Sequence, residues 1–170
     1  MQFNEVMGIK AIGQTGVIKS LFQITKQNTE KQQVFGWALV SHSWELGTDG
    51  VYTLKQLVDH QGDMVEEDAL EQMAYTFVMK YREAGELHER GGCGTCIESA
   101  ALTLEKQTAM GITKGSCPVG WWLGFQITDN IVWQGIKDGT YKDFSIEGTG
   151  LREDVIISDD DIGNYDVAKV

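Results

Sequence analysis

With 170 residues, 42% hydrophobic composition and one proline, the chain suits a single compact domain, which at this size buries roughly 70% of its unfolded surface. A formal net charge of −11 with no cluster of lysines and arginines argues against a phosphate-tracking surface and direct nucleic-acid binding, and fits a basic partner better. No apolar stretch approaches the ~18 residues of a membrane span, and "MQFNEVMGIKAIG" lacks the layout of a secretory signal, so a cytosolic protein without a membrane partner is expected.

Residues 1–33 read as an N-terminal arm or first strand: Val17 to Ile24 alternates as a strand does, and Thr25 to Gln33 is a polar break. Val34 to Val40 is a short apolar run with β-branched and aromatic residues, the pattern of a buried strand. Residues 41–53, "SHSWELGTDGVYT", carry a Thr-Asp-Gly turn signal and read as a hairpin or inserted loop. From Val65 to Arg82, Leu70, Met73, Ala74, Phe77, Val78 and Tyr81 recur at spacings of three and four, which predicts a helix. Asp63 is its expected cap and Gly85 its expected stop.

"GELHERGGCGTCIESAAL", "GWWLGFQITD" and "TYKDFSIEGTGLRED" then read as strand material punctuated by glycine, with a short amphipathic helix at Asn130 to Lys137 before the last of them. The end, 158–170, is an acidic tail. Strands, one long helix, further strands, a short helix and a last strand, without βαβ alternation, point to α+β with a mainly antiparallel sheet or small barrel.

Three histidines limit the search for a hydrolase base: His42 in the expected loop, His60 before the long helix, and His88 where the chain leaves that helix. A nucleophilic hydroxyl needs such a base in hydrogen-bond reach, oriented by a third group. "HERGGCGTCIE" reads as a hairpin, and a turn centred on Cys93 sets Glu98 opposite His88 on the same face. Two solvated side chains on a polar hairpin are the plain alternative. Ser145, in "KDFSIEGTG", is flanked by Phe144 and Ile146, which anchor in a core while the serine faces the other side. Gly148 and Gly150 permit close backbone approach, though an ordinary strand serine fits as well and a Gly-x-Ser-x-Gly elbow is absent.

Cys93 and Cys96 form a C-x-x-C that, with Cys117 and His88, makes a zinc set conceivable, but one such pair is a weak signal. Plain thiols, no structural metal and no cofactor are expected. Gln61-Gly62-Asp63 reads as a turn and cap, Trp121 and Trp122 as core and groove wall, and Arg152 as solvated.

Together "VFGWALV", "VDHQGDMVEEDALEQMAYTFV", "GELHERGG", "IES", "GWWLGFQITDNIVWQGIKDGTYKDFSIEG" and "LRED" resemble the XkdF-like phage serine proteases, relatives of the prohead proteases and of the herpesvirus assemblins. The resemblance runs from about residue 34 to 154. It implies a herpes-protease-like barrel within a protease domain at 34–157, with Ser145 as nucleophile and His88 as base. It also implies cleavage of phage scaffold and capsid precursors, and of the chain itself, inside a procapsid in the host cytoplasm, with a homo-oligomer as one expected assembly. Three features depart from the pattern: the Cys93/Cys96 pair, the loop at 41–53, and the lack of any histidine after Ser145, for which Glu98 is the substitute orienter. A catalytically idle phage assembly protein and a zinc-binding adaptor are the competing readings.

Overall fold

The computed structural model describes residues 8–12, 24–58, 63–86, 89–142, 144, 146 and 151–163. Val34 to Val40 lies within a long strand, β3 (Gln33–Leu46), whose Val34, Ala38 and Val40 are buried while Phe35, Trp37 and Leu39 are half-buried. That alternation is what a strand covered more fully on one face produces. The expected hairpin follows, with β4 (Tyr52–Gln56) paired back onto β3 and closed by Gly47 N–H to Val51 O at 2.8 Å. Before it, β2 (Ile24–Asn28) pairs with β3 across part of the predicted polar break. The rest of the predicted strand at 17–24 lies outside the described residues.

The long helix, α1, spans Glu67–Lys80 and buries Leu70, Met73, Ala74 and Phe77 of the expected stripe, whereas Val78 is exposed and Tyr81, half-buried, is the C-cap beyond the helix end. Its ends differ from expectation. Asp63 lies in a short strand, β5 (Asp63–Val65), paired through Met64 and Val65 with Lys10 and Ile9 of β1 (Gly8–Ile12), so Glu66 becomes the N-cap. At the other end Arg82 takes φ 57° and sends its amide back to Phe77 O at 3.2 Å, stopping the helix before Gly85. Gly85 is instead inside β6 (Glu83–Glu86).

β7 (Arg90–Leu102) and β8 (Val119–Ile127) complete a six-stranded sheet in the order β2-β3-β8-β7-β6, with β4 on β3, antiparallel throughout. A second sheet has the order β5-β1-β9, in which β9 (Leu151–Val155) runs parallel to β1. The mixed α/β architecture and mostly antiparallel sheet agree with the sequence reading. A barrel does not form among the described residues: β2 and β6 remain edges, whereas closure would pair the first and last strands.

Two shorter helices finish the fold. α2 (Leu104–Ala109), capped by Thr103 Oγ1 accepting from Lys106 N at 3.2 Å, is too short to show a hydrophobic period. α3 (Asn130–Lys137) covers the predicted amphipathic piece and buries Val132, Trp133 and Ile136. The core lies where α1 and α3 meet Val34, Ala38, Trp121, Leu123 and Phe125. There Phe77 meets Trp121 and Phe125 edge to face, with centroids 5.3 and 6.1 Å apart. No helix among the described residues is long and apolar enough to cross a membrane.

Candidate functional site

His88 and Ser145 lie outside the described residues, as do His60, Gln61, Gly62 and Gly148. The chain on either side of the first two is described. Glu86 and Arg90 pair across the β6–β7 hairpin, and the Glu89 amide donates to Glu86 O at 2.9 Å. β6 and β7 therefore close on each other at Glu86 and Arg90.

This corrects the expected turn at Cys93, which sits within β7. Glu98 consequently pairs with Gly124 of β8. At about 3.3 Å per residue it stands on the order of 25 Å up the strand from Arg90. Its exposed carboxylate accepts from Trp122 Nε1 at 2.9 Å. The register thus removes the geometric reason for placing Glu98 beside His88.

On the Ser145 side, three of the contacts that hold the described residues bear on the site. Ile24 N–H donates to Lys142 O at 2.8 Å, and the Phe144 ring meets Phe125 edge to face at 5.6 Å. Phe144 is thus packed against the core, as expected, but Ile146 is exposed, which corrects the expectation that both residues beside Ser145 anchor in the core. The third contact joins the two flanks: the Tyr141 hydroxyl donates to Glu86 Oε1. His88 follows Glu86 by two positions and Ser145 follows Tyr141 by four, so the bond joins the described flanks that precede both candidates.

A charged network supports that bond. Arg90 gives Nε and an Nη to Glu86 Oε2 at 3.0 and 2.7 Å, and its other Nη to Asp129 Oδ2 at 2.5 Å. Asp129 in turn caps α3, its Oδ1 accepting from Ile131 N at 2.8 Å and Val132 N at 3.0 Å. The Tyr141 hydroxyl and then the guanidinium hold Glu86 below the usual carboxylate range, while Arg90 and the capped amides bring Asp129 from its usual 3.8 to about 2. The same bond to Glu86 pushes the Tyr141 phenol up. Sequence reading missed these four residues. Only Asp129, directly before the amphipathic stretch, carries a local signal, that of a helix cap.

Other candidates do not assemble. His42 is half-buried, with Nδ1 3.0 Å from Ser41 Oγ, but Ser41 has no exposed surface and its hydroxyl donates to Val119 O at 3.3 Å. No peptide reaches such a hydroxyl. Burial lowers the His42 pKa, against the opposing pull of Glu67 and Glu66.

Cys93 and Cys96 are free thiols three positions apart in β7, about 10 Å along the strand and beyond disulfide reach. Cys96 pairs with Phe125, whereas Cys117 lies before the other end of β8. Burial raises the pKa of all three. Among the described residues no three His, Cys, Asp or Glu side chains gather as metal ligands do. Trp121 is buried, as expected, and donates to Ser99 Oγ at 2.9 Å. Arg152 lies in β9, its side chain outside the described set.

The profile of the family described as "Putative phage serine protease XkdF" matches residues 22–154. No curated protein and no solved structure matches the chain.

Proposed function

The chain belongs to the XkdF family of phage serine proteases, and from that premise we propose that it is an endopeptidase of capsid maturation with Ser145 as nucleophile and His88 as base. The observation that carries the assignment is the Tyr141–Glu86 hydrogen bond, which draws the flanks of both residues to one rim of the sheet.

In this mechanism Ser145 Oγ attacks the scissile carbonyl as its proton passes to His88. The tetrahedral oxyanion is held by backbone amides near Gly148. Collapse expels the amine, which takes the proton back from His88, and leaves an acyl group on Ser145. Water, deprotonated by His88, then releases the acid. No cofactor enters any step. Glu98 is given no part, since its register partner is Gly124.

The substrates are scaffold and capsid precursors, with self-cleavage in the same setting, inside a procapsid in the host cytoplasm. A homo-oligomer fits that confined assembly. The net charge of −11 favours basic stretches of such precursors. Co-expression with the phage's own capsid and scaffold precursors tests the reading. Processing is expected with the wild type and should fall by about 10⁴-fold in both Ser145→Ala and His88→Ala, as for members of one nucleophilic unit. Undiminished processing in either variant would instead leave a catalytically idle assembly protein.

A further inference from the structure

We infer that Tyr141 is a positioning residue for this chemistry: through Glu86, it sets the segment leading to Ser145 against the hairpin that carries His88. The inference rests on the protease reading. Three of the anchors on the Ser145 flank have different jobs. The Ile24–Lys142 backbone bond and the Phe144–Phe125 ring contact tie it to β2 and the core. The Tyr141 hydroxyl alone among these three reaches the β6–β7 hairpin, where Glu86 stands two residues before His88.

The geometry has the marks of a fixed seat. Both oxygens of Glu86 are used, Oε1 by the phenol and Oε2 by Arg90. Arg90 is in turn held by the cap of α3. The Tyr141 amide donates to Gly135 O at 2.9 Å, and its ring lies over Gly135 so closely that a Cβ there would be 2.5 Å from the ring edge. Ring and hydroxyl are therefore located separately: Gly135 admits the ring, and Glu86 fixes the hydroxyl.

A partly exposed hydrogen-bonded network of this kind adds little to global stability, whereas a displacement of about 1 Å between reacting groups costs on the order of a hundredfold in rate. Losing the phenol oxygen should thus cost rate rather than fold.

Inactivation of the full chain by a fluorophosphonate separates the two, because it needs an aligned serine and base but no particular peptide. For Tyr141→Phe the limiting inactivation rate is expected to fall about tenfold, with an unchanged inhibitor half-saturation and a melting temperature within about 2 °C of the wild type. Glu86→Ala should lose a similar factor, and the double variant no more than either single one, since both remove the same bond. An unchanged rate in Tyr141→Phe, additive losses in the double variant, or a melting temperature that falls in step with the rate would overturn the positioning role alone. A wild type that does not react, or reacts at a serine other than Ser145, overturns the protease reading and the inference with it.

Discussion

The sheet-and-helix core and the rim where the β6–β7 hairpin meets α3 and Tyr141 are held together by different forces. In the core, α1 lays Leu70, Met73 and Phe77 on Trp121, Leu123 and Phe125, all buried. Such contacts are non-directional and scale with apolar area. At the rim Glu86, Arg90, Asp129 and Tyr141 meet through directional hydrogen bonds, with the Arg90 side chain 46% exposed. Apolar packing tolerates small shifts at modest cost, and hydrogen-bond geometry does not. The core therefore makes the molecule stable, and the rim determines where two short segments stand relative to one another.

Cutting into the core should produce the largest stability effect. Leu70 has no exposed surface, so Leu70→Ala is expected to lower unfolding free energy by about 2–5 kcal/mol in denaturant titration, with per-molecule activity of the folded fraction retained. A matching loss of activity in fully folded protein would erase the distinction between the two regions.

Gly135 lies where they join, in α3 but beneath the Tyr141 ring. Alanine there improves helix propensity by about 1 kcal/mol while displacing the ring. Gly135→Ala is expected to slow fluorophosphonate inactivation about tenfold with less than about 1 kcal/mol change in stability. An unslowed reaction would show that the seat of Tyr141 does not matter.

Acid probes the rim from another side. Asp129 has its pKa depressed from 3.8 to about 2, so its contribution is present above 3.8 and is lost as pH falls through about 2. Between those values the stability of Asp129→Asn should fall less steeply with decreasing pH than that of the wild type, as followed by thermal melts. Parallel curves would mean that the Arg90 bridge is not held in solution.

The smallest effect is expected at Glu98. Its exposed carboxylate meets Trp122 far from the hairpin turn, so Glu98→Gln should change stability by less than about 0.5 kcal/mol and turnover by less than about twofold. A tenfold drop in turnover would return Glu98 to the catalytic set.

The core was far more legible in the sequence than the rim. α3 and the buried stripe of α1 announce themselves through local spacing, and β3 through its apolar run. The mis-centred hairpin has a specific cause. "GGCG" reads as a turn, yet Gly94 is in mid-strand, where a Cβ would stand 2.6 Å from Gln126 O of β8. Glycine marks close backbone approach as readily as reversal, and composition does not separate the two. The helix cap was misplaced because Asp63 satisfies a strand pairing with the distant β1, which no local rule reveals. The Glu86–Tyr141 bond joins residues 55 positions apart, and Glu86–Arg90, at a spacing that suggests one helical turn, in fact spans a hairpin.

A crystal structure of the chain after reaction with a peptidyl phosphonate is the most direct test. We expect phosphorus bonded to Ser145 Oγ and a ring nitrogen of His88 within about 4 Å of that oxygen. An adduct on another residue, or a His88 ring more than about 8 Å away, would contradict the assignment of Ser145 and His88 as one catalytic unit.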